Sequence, residues 1–518
     1  MSDSIKYSAL NPGGIRKDIK RISMTPRPET LKGKTVYCIA QYMQIYMEEI
    51  AGKLKNKLPD TKIVFRKKPG WVLDSSADLM EELTENADAL IYGITTGGGN
   101  DIFAVGWIAE AEKNGIPSVY LLGEALTEDI KASAEIRGMP DMRRVILPMA
   151  DEKRVSEDIS EKQYSEITSS IISALTRPLN EEERKTEDIT AEKPERIAVT
   201  GSLSEVMDYF NSQRWTDGLP IIPPTEKEVK KFLDMTGHHP DVVITEAMAP
   251  EEYIVTVEKV AIVGVMAGCK PEYMPLLLAI TETWGKGFFS NFALRSDSSM
   301  SWITLVNGPI RNELGMNYRS GAMNPGNHAN STIGRFVNLA IAALGGAWSG
   351  INDMSAQGNP SRYNLCIPEN EEDNPWAPYH VSSGYKPDDS VVSMFYGGWS
   401  HTGFLGDLDF LTRSISTFTE PKNSLLLLAP GAAKFYAGKG MSKEDVEEYI
   451  AGGLLTQDQP PPSRWFTIPT AGDKNDDPAF DMSSSFFKVV VLGGETALPV
   501  AQVWQASPLF ATSVDKWR

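Results

Sequence analysis

The chain has 518 residues, of which 41% are hydrophobic and 23% charged, so we expect a globular protein of two or three domains. Its formal net charge of −18 argues against nucleic acid or an anionic membrane as the main partner, although a local group of Arg or Lys can still hold an anionic substrate. Its three cysteines, Cys38, Cys269 and Cys366, are too few and too scattered for a disulfide framework or a thiolate zinc site, which favours a reducing cytoplasm. The first residues lack the apolar region of a signal peptide, and the longest apolar stretches are shorter than a membrane span. We therefore expect a soluble intracellular protein.

Residues 1–177 predict a small α/β domain. Strand-like and helical runs alternate about five times, which is typical of a doubly wound, mainly parallel sheet of the flavodoxin or Rossmann kind. The predicted strands are "KTVYCIA", "TKIVFRK", "DALIYGI", "PSVYLLG" and "RRVILPM". The predicted helices are "YMQIYMEEIAGKLKNKL", "SADLMEELTENA", "DIFAVGWIAEAEKNG", "TEDIKASAEIRG" and "YSEITSSIISALT".

Residues 178–197 are charged, poor in apolar residues and bracketed by prolines, so they predict a linker. Residues 198–518 predict a larger, loop-rich α/β domain. Its expected strands are "EKVAIVGVMAG", "SWITLVNGP", "NSLLLLAP" and "FFKVVVLGG". Its expected helices are "PEYMPLLLAITETW", "NSTIGRFVNLAIAALGG" and "SKEDVEEYIAGG".

A glycine-rich segment, "ITTGGGND", joins a predicted strand of the small domain to the helix that follows. In an open α/β sheet, ligands bind at this end of the strands. Gly97, Gly98 and Gly99 let the backbone approach a bound group, and the helix N-terminus offers N–H donors to an anion. The alternative is a tight turn in which Asn100 or Asp101 caps the helix. The segment matches neither GxGxxG nor a P-loop, so it does not predict a nucleotide.

The segment "VMAGCKPEYMPLLLAI" places Cys269 between a predicted strand and a predicted helix. At the N-terminus of that helix, the helix dipole and Lys270 would stabilise a thiolate, which predicts a reactive thiol. The alternative is a buried cysteine that fills a gap between sheet and helix.

Two further segments predict an anion-binding or pocket-lining role. In "QRWTDGLPIIPPT", Arg214 and Asp217 lie in a turn stiffened by prolines, and such clusters either line a pocket or fix a loop. In "MNPGNHANSTIGRF", Asn330 or Ser331 is expected to cap a helix with Arg335 near the same end, an arrangement suited to a carboxylate or phosphate.

The segment "YNLCIPENEEDNPWAPYH" supplies a candidate acid and base. Glu369 and its acidic neighbours are expected to act in proton transfer, to hold a metal or to form a solvated turn, and His380 is the candidate general base. The chain has five histidines and no HxH or HExxH spacing, so we predict no metal site.

Several of these segments resemble a family named for a UGSC motif, in which U is selenocysteine or is replaced by cysteine. The resemblance lies in "RWTDGLPIIPPT", "VMAGCKPEYMPLLLAI", "NSTIGR" and "YNLCIPENEEDNPWAPYH", and in "ADALIYGITTGGGNDIF" of the small domain. Members of the family are mostly uncharacterised, so the resemblance implies an enzyme-like protein without a defined reaction. The thiols of the motif would fall at about Gly97 and Asn100, where this chain has none. Among the thiols in segments that resemble the family, Cys269 is then the only one that also has a physical reason to be reactive.

The leading functional hypothesis is a cysteine-dependent enzyme, a carbon–sulfur lyase or transferase, in which Cys269 forms a covalent intermediate with a small anionic or thiol-containing metabolite. His380 or Glu369 would move protons, and Arg335 with Asn330 and Ser331 would hold the anionic group. A non-catalytic protein that binds a small ligand is the alternative, and a metal-dependent hydrolase comes third. The sequence does not identify a cofactor. The apolar segments "LGGAWSG" and "SMFYGGWSHTGFLGDLDF" predict either the interface of a homodimer or higher homo-oligomer, or a buried core layer.

Overall fold

A computed structural model describes residues 5–41, 43–68, 77–94, 99, 101–148, 159–286, 288–404, 423–455, 486–495 and 500–518. The chain begins with β1 (Tyr7–Leu10), which pairs in antiparallel fashion with β7 (Ile197–Gly201). Ala9 and Leu10 pack in the core of the larger unit, so the first strand belongs to that unit although the small unit follows it in the chain.

Residues 35–176 form the predicted doubly wound sheet. Its strands are β2 (Thr35–Ala40), β3 (Lys62–Lys67), β4 (Ala89–Gly93), β5 (Ser118–Gly123) and β6 (Arg144–Leu147). All five are parallel and lie in the order β3-β2-β4-β5-β6. The helices are α1 (Gln44–Lys57), α2 (Ala77–Asn86), α3 (Asp101–Lys113), α4 (Thr127–Ile136) and α5 (Glu161–Thr176).

These helices cover both faces of the sheet. Apolar residues of α1 and α5 pack on one face, and those of α2, α3 and α4 pack on the other. The three central strands β2, β4 and β5 are buried on both faces and are nearly continuous apolar runs, whereas the edge strands β3 and β6 carry exposed residues. The predicted fold class of the small unit is confirmed.

The predicted linker is held against the small unit. Glu183, in the short 3-10 helix Glu182–Arg184, is buried and accepts two hydrogen bonds of 2.9 Å from the Arg143 guanidinium. Arg143 also donates to the carbonyl groups of Ala174 and Arg177. This charged segment therefore contributes an ion pair to the fold.

The larger unit contains a curled mixed sheet. Its strands are β10 (Ser301–Asn307), β11 (Cys366–Pro368), β12 (Val391–Phe404), β13 (Asn423–Leu428), β14 (Phe486–Val491) and β15 (Val500–Ser513), in the order β11-β10-β12-β15-β13-β14. The Asn370 N–H, just after one edge strand, donates to the Val491 carbonyl at the end of the other edge strand at 2.8 Å. The sheet therefore curls until its two edges meet at one end, around a core to which all six strands contribute.

Helices and a small hairpin complete the larger unit. The hairpin pairs β8 (Val243–Met248) with β9 (Tyr253–Thr256). The helices are α6 (Leu203–Ser212), α7 (Glu226–Leu233), α8 (Val257–Ala267), α9 (Met274–Gly285), α10 (Phe288–Arg295), α11 (Ile310–Glu313), α12 (His328–Ala343), α13 (Tyr379–Ser382), α14 (Pro430–Gly438) and α15 (Lys443–Leu455). Further 3-10 turns are Glu124–Leu126, Pro271–Tyr273, Pro360–Arg362 and Asp515–Trp517.

The segment "EKVAIVGVMAG", predicted as a strand, is the helix α8. Every residue of α8 after Lys259 is apolar or glycine, and all of them are buried in the core of the larger unit. A continuous apolar run of this length has no periodicity that separates a buried helix from a buried strand.

The aromatic segment "SMFYGGWSHTGFLGDLDF" is predicted to form either an interface or a core layer. Its residues whose burial is described lie in the core. Met394, Phe395 and Tyr396 are buried in β12, which is paired on both sides, and residues 405–410 lie outside the described residues. Among the described helices, none is long and apolar enough to cross a membrane.

Candidate functional site

Cys269 lies after the end of a helix, and not at the helix N-terminus that the sequence predicts. Gly268 has a φ of 82° and closes α8, and the Cys269 N–H donates back to the Gly264 carbonyl at 3.0 Å. The next helical turn begins at Pro271, with Lys270 as its capping residue. The Cys269 amide thus satisfies a helix C-terminus, whose dipole disfavours a thiolate.

The Cys269 side chain is only 9% exposed and its Sγ donates to the Thr332 carbonyl at 3.3 Å. Burial raises the pKa of Cys269 to about 12, against smaller lowering effects from that hydrogen bond and from Arg335. Burial likewise raises the pKa values of Cys38 and Cys366. These surroundings are those of the alternative, a packed cysteine, and they contradict the physical basis of the predicted reactive thiol.

Arg335 and Asp217 are close together, as a common pocket would require, but they bind each other. The Arg335 guanidinium donates to both Asp217 oxygens at 2.7 and 2.9 Å and to the Pro220 carbonyl at 2.9 Å. Arg214 stacks on the ring of Trp348, with 5.3 Å between the guanidinium carbon and the ring centroid. The contacts of Arg214, Asp217 and Arg335 are therefore those of the loop-fixing role.

The predicted caps of α12 are also different. Asn327 is the capping residue, and its side chain accepts from the Asn330 N–H at 3.0 Å. The Asn330 amide donates to the carbonyl groups of Asn317 and Ala322, and Ser331 lies within the first turn. Asn330 holds a neighbouring loop, so it does not present its side chain to a ligand.

Glu369 and His380 lie together at the ends of β10 and β11, in a polar network that is nearly saturated. Glu369 is fully buried and accepts hydrogen bonds from the Asn307 and Asn374 amides and from the Tyr379 N–H. His380 Nδ1 has no hydrogen-bond partner and lies 3.9 Å from a Glu371 oxygen. Within the described parts of the chain, no hydrogen bond or ion pair joins this network to Cys269, so the predicted nucleophile and base are not brought together.

Metal ligation has no support in the described residues, among which no group of three or more His, Cys, Asp or Glu side chains is placed to hold an ion. A cleft of about 1440 Å³ lies between residues 16–23, α4 and residues 251–253. Its lining mixes cations such as Lys20 and Lys131 with acids such as Glu135, and none of the predicted site residues lines it.

The glycine-rich loop lies where the strand order of the small sheet reverses. β2 and β4 are neighbours, the chain leaves them toward opposite faces, and such a switch point is the usual ligand site of an open α/β sheet. Gly97, Gly98 and Asn100 lie outside the described residues. Gly99 packs so closely on Phe292 of α10 that a Cβ atom there would lie 2.7 Å from the ring. The larger unit therefore contacts the loop directly.

Two buried polar groups on the segment that follows β2 lack partners. Gln41 directly follows β2, donates its backbone N–H to the Gly93 carbonyl at the end of β4, and accepts a hydrogen bond from the Tyr92 hydroxyl. Its Nε2 has no partner, although the residue is 6% exposed. The hydroxyl of Tyr46, in the first turn of α1, also has no partner and the residue is 2% exposed. Because buried polar groups are nearly always hydrogen-bonded, both groups are candidate donors to a bound molecule.

Lys68 brings a positive charge to the same end of the sheet. It directly follows β3, its N–H donates to the Ala40 carbonyl at 2.8 Å, and the residue is 4% exposed. Burial lowers the pKa of Lys68 to about 8, so the amine is mostly protonated at pH 7.

Two aspartates complete the site. Asp101 begins α3, directly after the loop, and accepts a hydrogen bond of 3.2 Å from the Tyr120 hydroxyl. Asp129, in the first turn of α4, is fully buried, as is Asp101. Burial raises the pKa of Asp129 to about 6, although Arg295 acts to lower it.

Arg295, the last residue of α10, joins these acids to the larger unit. Its guanidinium donates to the Asp129 carboxylate, to Ser133 Oγ at 3.1 Å and to the Pro250 carbonyl at 3.1 Å. Glu251 lies 3.5 Å from it, and Arg295 is fully buried. One helix of the larger unit thus contacts the loop through Phe292 and Asp129 through Arg295.

We name this group the strand-end site and define it by residues Gln41, Tyr46, Lys68, Tyr92, Gly99, Asp101, Tyr120, Asp129, Phe292 and Arg295. The sequence predicts only its glycine-rich loop. Lys68, Asp129 and Arg295 carry no local motif, and only the strand order and the docking of the two units bring them to one place. A charged residue directly after an apolar strand, as at Lys68, is the one signal that was available.

Comparison with known proteins gives one match. The sequence model of the UGSC family matches residues 8–177, a range that contains the five-stranded sheet and the glycine-rich loop. The segments of the larger unit that resemble the family lie outside this range. No curated protein and no solved structure shows a significant match to the chain. Residues 8–177 are therefore similar to the UGSC family.

Proposed function

We propose that the protein binds a small organic anion, a carboxylate or a phosphate ester, at the strand-end site. The observation that carries the proposal is the unpartnered, buried Gln41 Nε2 at the switch point of the sheet, with the unpartnered Tyr46 hydroxyl in the first turn of the helix that follows. Both groups can donate hydrogen bonds, and carboxylate and phosphate oxygens accept them.

The charge of the site supports an anion. The Lys68 amine is buried at this edge, and a buried ammonium gains more from an anion than a solvated one does, because the surrounding dielectric constant is low. The N-terminus of α3 follows the loop directly, and helix N-termini favour negative charge. Positions 97 and 100 are Gly and Asn in this chain, and the proposed role of the loop in anion binding needs no thiol.

The test compares ligand-induced thermal stabilisation of the full chain by sulfate, inorganic phosphate and acetate. We expect Lys68→Met to lower the affinity for the stabilising anion at least tenfold, since a charge-assisted hydrogen bond contributes about 1.5–3 kcal/mol. Lys67→Met is the matched control, because Lys67 is the adjacent residue and is exposed. No stabilisation of the wild type by any of the three anions, or equal loss in both variants, would refute the proposal.

A further inference from the structure

We propose that the polar network at the ends of β10 and β11 binds an ammonium group, either the free ammonium ion or the terminal ammonium of a small amine. We name it the sheet-end network and define it by residues Asn307, Arg311, Glu369, Glu371, Glu372 and His380. The inference does not depend on the proposed function, because this network lies in the larger unit and shares no residue with the strand-end site. Binding is non-covalent, so no bond to the ligand forms or breaks.

The sheet-end network holds more negative than positive charge. Glu369, Glu371 and Glu372 supply three carboxylates. Arg311 supplies one guanidinium, which lies 3.0 Å from a Glu371 oxygen and 3.1 Å from a Glu372 oxygen. The Glu369 carboxylate is fully buried, and the three hydrogen bonds described for it come from neutral amide N–H groups. Because a buried charge is costly unless it is paired, the network favours a cation.

Two lysines near the network are engaged elsewhere. Lys443 of α15 is 3% exposed, and its ammonium donates to the Ala377 carbonyl at 3.2 Å. Lys434 of α14 binds Glu495 and lies 3.7 Å from Asp373. In the part of the chain that the structure describes, neither lysine forms an ion pair with a carboxylate of the sheet-end network. The excess of negative charge is therefore local to the network.

Asn307 offers one acceptor to a bound donor. Its Nδ2 donates to Glu369 Oε2 at 2.6 Å and to Glu371 Oε1 at 3.0 Å. The reverse orientation of the amide would place its oxygen against two carboxylate oxygens, so these contacts fix the orientation. The Asn307 Oδ1 atom has no hydrogen-bond partner, and the residue is fully buried. Since buried polar groups are nearly always hydrogen-bonded, Oδ1 is a candidate acceptor.

His380 offers a second acceptor. Its Nε2 lies 3.4 Å from the Pro387 carbonyl, which can only accept, so Nε2 carries the hydrogen and Nδ1 of the neutral ring is an acceptor. Nδ1 has no hydrogen-bond partner, and the residue is fully buried. A protonated Nδ1 would be a buried charged donor, and the Glu371 oxygen, at 3.9 Å, is too far to accept from it. The contacts therefore fit a neutral ring whose Nδ1 accepts from a ligand.

Both unpartnered atoms belong to side chains beside the same carboxylate oxygen. Glu371 Oε1 accepts from Asn307 Nδ2 at 3.0 Å and lies 3.9 Å from His380 Nδ1. An ammonium nitrogen at about 2.9 Å from each of two acceptors can bridge this separation. Its N–H groups donate to the acceptors, and its positive charge offsets the excess of negative charge. A water molecule supplies the donors without the charge, and a potassium ion supplies the charge without the donors.

The experiment is thermal unfolding of the full chain at pH 7 in the chlorides of ammonium, methylammonium, potassium and tetramethylammonium at equal concentration. Ammonium and potassium are similar in size and equal in charge, so the pair isolates the hydrogen-bond donors. We expect ammonium to raise Tm, and potassium and tetramethylammonium to raise it less. Stabilisation by methylammonium equal to that by ammonium would assign the group to an amine, and stabilisation by ammonium alone would assign it to the free ion. Chloride is common to all four salts, so an anion effect at the strand-end site cancels.

His380→Phe keeps a ring and removes the Nδ1 acceptor, so we expect the affinity for ammonium to fall at least tenfold. His380→Asn places an amide oxygen near the position of Nδ1 and should recover part of that affinity. His239→Phe is the control, because His239 is an exposed histidine before β8, and its affinity should equal that of the wild type.

Equal stabilisation of the wild type by ammonium and potassium, or unchanged ammonium affinity in His380→Phe, would overturn the inference. The order of the four salts is measured on the wild type, so it tests the inference even if His380→Phe does not fold. Neither outcome bears on the strand-end site, whose test uses anions.

Discussion

The variant Arg295→Met tests whether the junction between the two units depends on the buried ion pair. Methionine approximates the apolar stem of arginine, so the change removes mainly the charge and the donors. Asp129 and Glu251 then lose their shared cation inside the protein. Removing one partner of a fully buried ion pair typically costs about 3–5 kcal/mol. We expect a loss of this size in the free energy that holds α4 against α10.

The loss has a defined pH dependence. The pKa of Asp129 is already raised to about 6 in the folded protein. The stability that Asp129 contributes is therefore fully present at pH values below the ordinary pKa of an aspartate, and it is lost as the pH rises through 6. Without Arg295 the pKa rises further, and a protonated Asp129 tolerates burial better. The destabilisation by Arg295→Met should therefore be smaller at pH 5 than at pH 8.

The assay is hydrogen exchange of peptides from α4 and α10, because a chain with two units need not unfold in one step. The double variant Asp129→Asn, Arg295→Met is the control, since it removes both charges and should recover about 1–3 kcal/mol relative to the single variant. If Arg295→Met lowers the free energy of opening by less than about 1 kcal/mol, or if the double variant is less stable than the single one, the buried ion pair does not hold the junction.

Three further predictions follow from the described contacts. At pH 8, iodoacetamide should label Cys269 no faster than the other two cysteines, because burial raises its pKa to about 12; rapid labelling of Cys269 alone, read by peptide mass spectrometry, would restore it as a reactive thiol. Asp217→Ala should lower the free energy of opening of this loop by about 1–3 kcal/mol and speed hydrogen exchange in residues 216–222, because it removes both carboxylate acceptors of Arg335. Unchanged exchange in these residues would contradict the loop-fixing role. Gly264→Ala should destabilise the larger unit by about 1–3 kcal/mol in urea unfolding although alanine favours helices, because a Cβ atom would lie 2.9 Å from Phe232; a stabilised variant would show that the packing yields.

The fold of the small unit was predictable from its sequence. Each parallel strand is a short apolar run with polar or small residues at its end, and each helix carries apolar residues at helical spacing, as in α5. In the larger unit the same reasoning fails at α8, where burial on all sides removes the periodicity. The N-terminal strand β1 is a second limit, because its pairing with β7 joins segments nearly 190 residues apart, and no local pattern records such a contact.

The candidate site shows a similar division. The glycine-rich loop is visible in the sequence because a backbone that approaches a ligand needs glycine, and its position after β4 follows from the alternation of elements. Lys68, Asp129 and Arg295 were not predictable, since each is an ordinary charged residue until the sheet order and the docking of α10 bring them together. Conversely, the sequence predicts a reactive Cys269 because this residue precedes a helix that begins with proline. The segment before Cys269 is itself a helix, α8, so the residue lies next to a helix C-terminus, whose dipole disfavours a thiolate.

Hydrogen exchange of the full chain with and without saturating sulfate shows directly whether an anion binds at the strand-end site. With sulfate bound, we expect protection from exchange to rise in peptides covering residues 35–47 and 101–113, which contain Gln41, Tyr46 and the start of α3. We expect protection in peptides covering residues 213–225 and 265–280 to stay unchanged. Protection that instead appears around Cys269 and Asp217, with none at the strand-end site, would contradict the account and place the functional site in the larger unit.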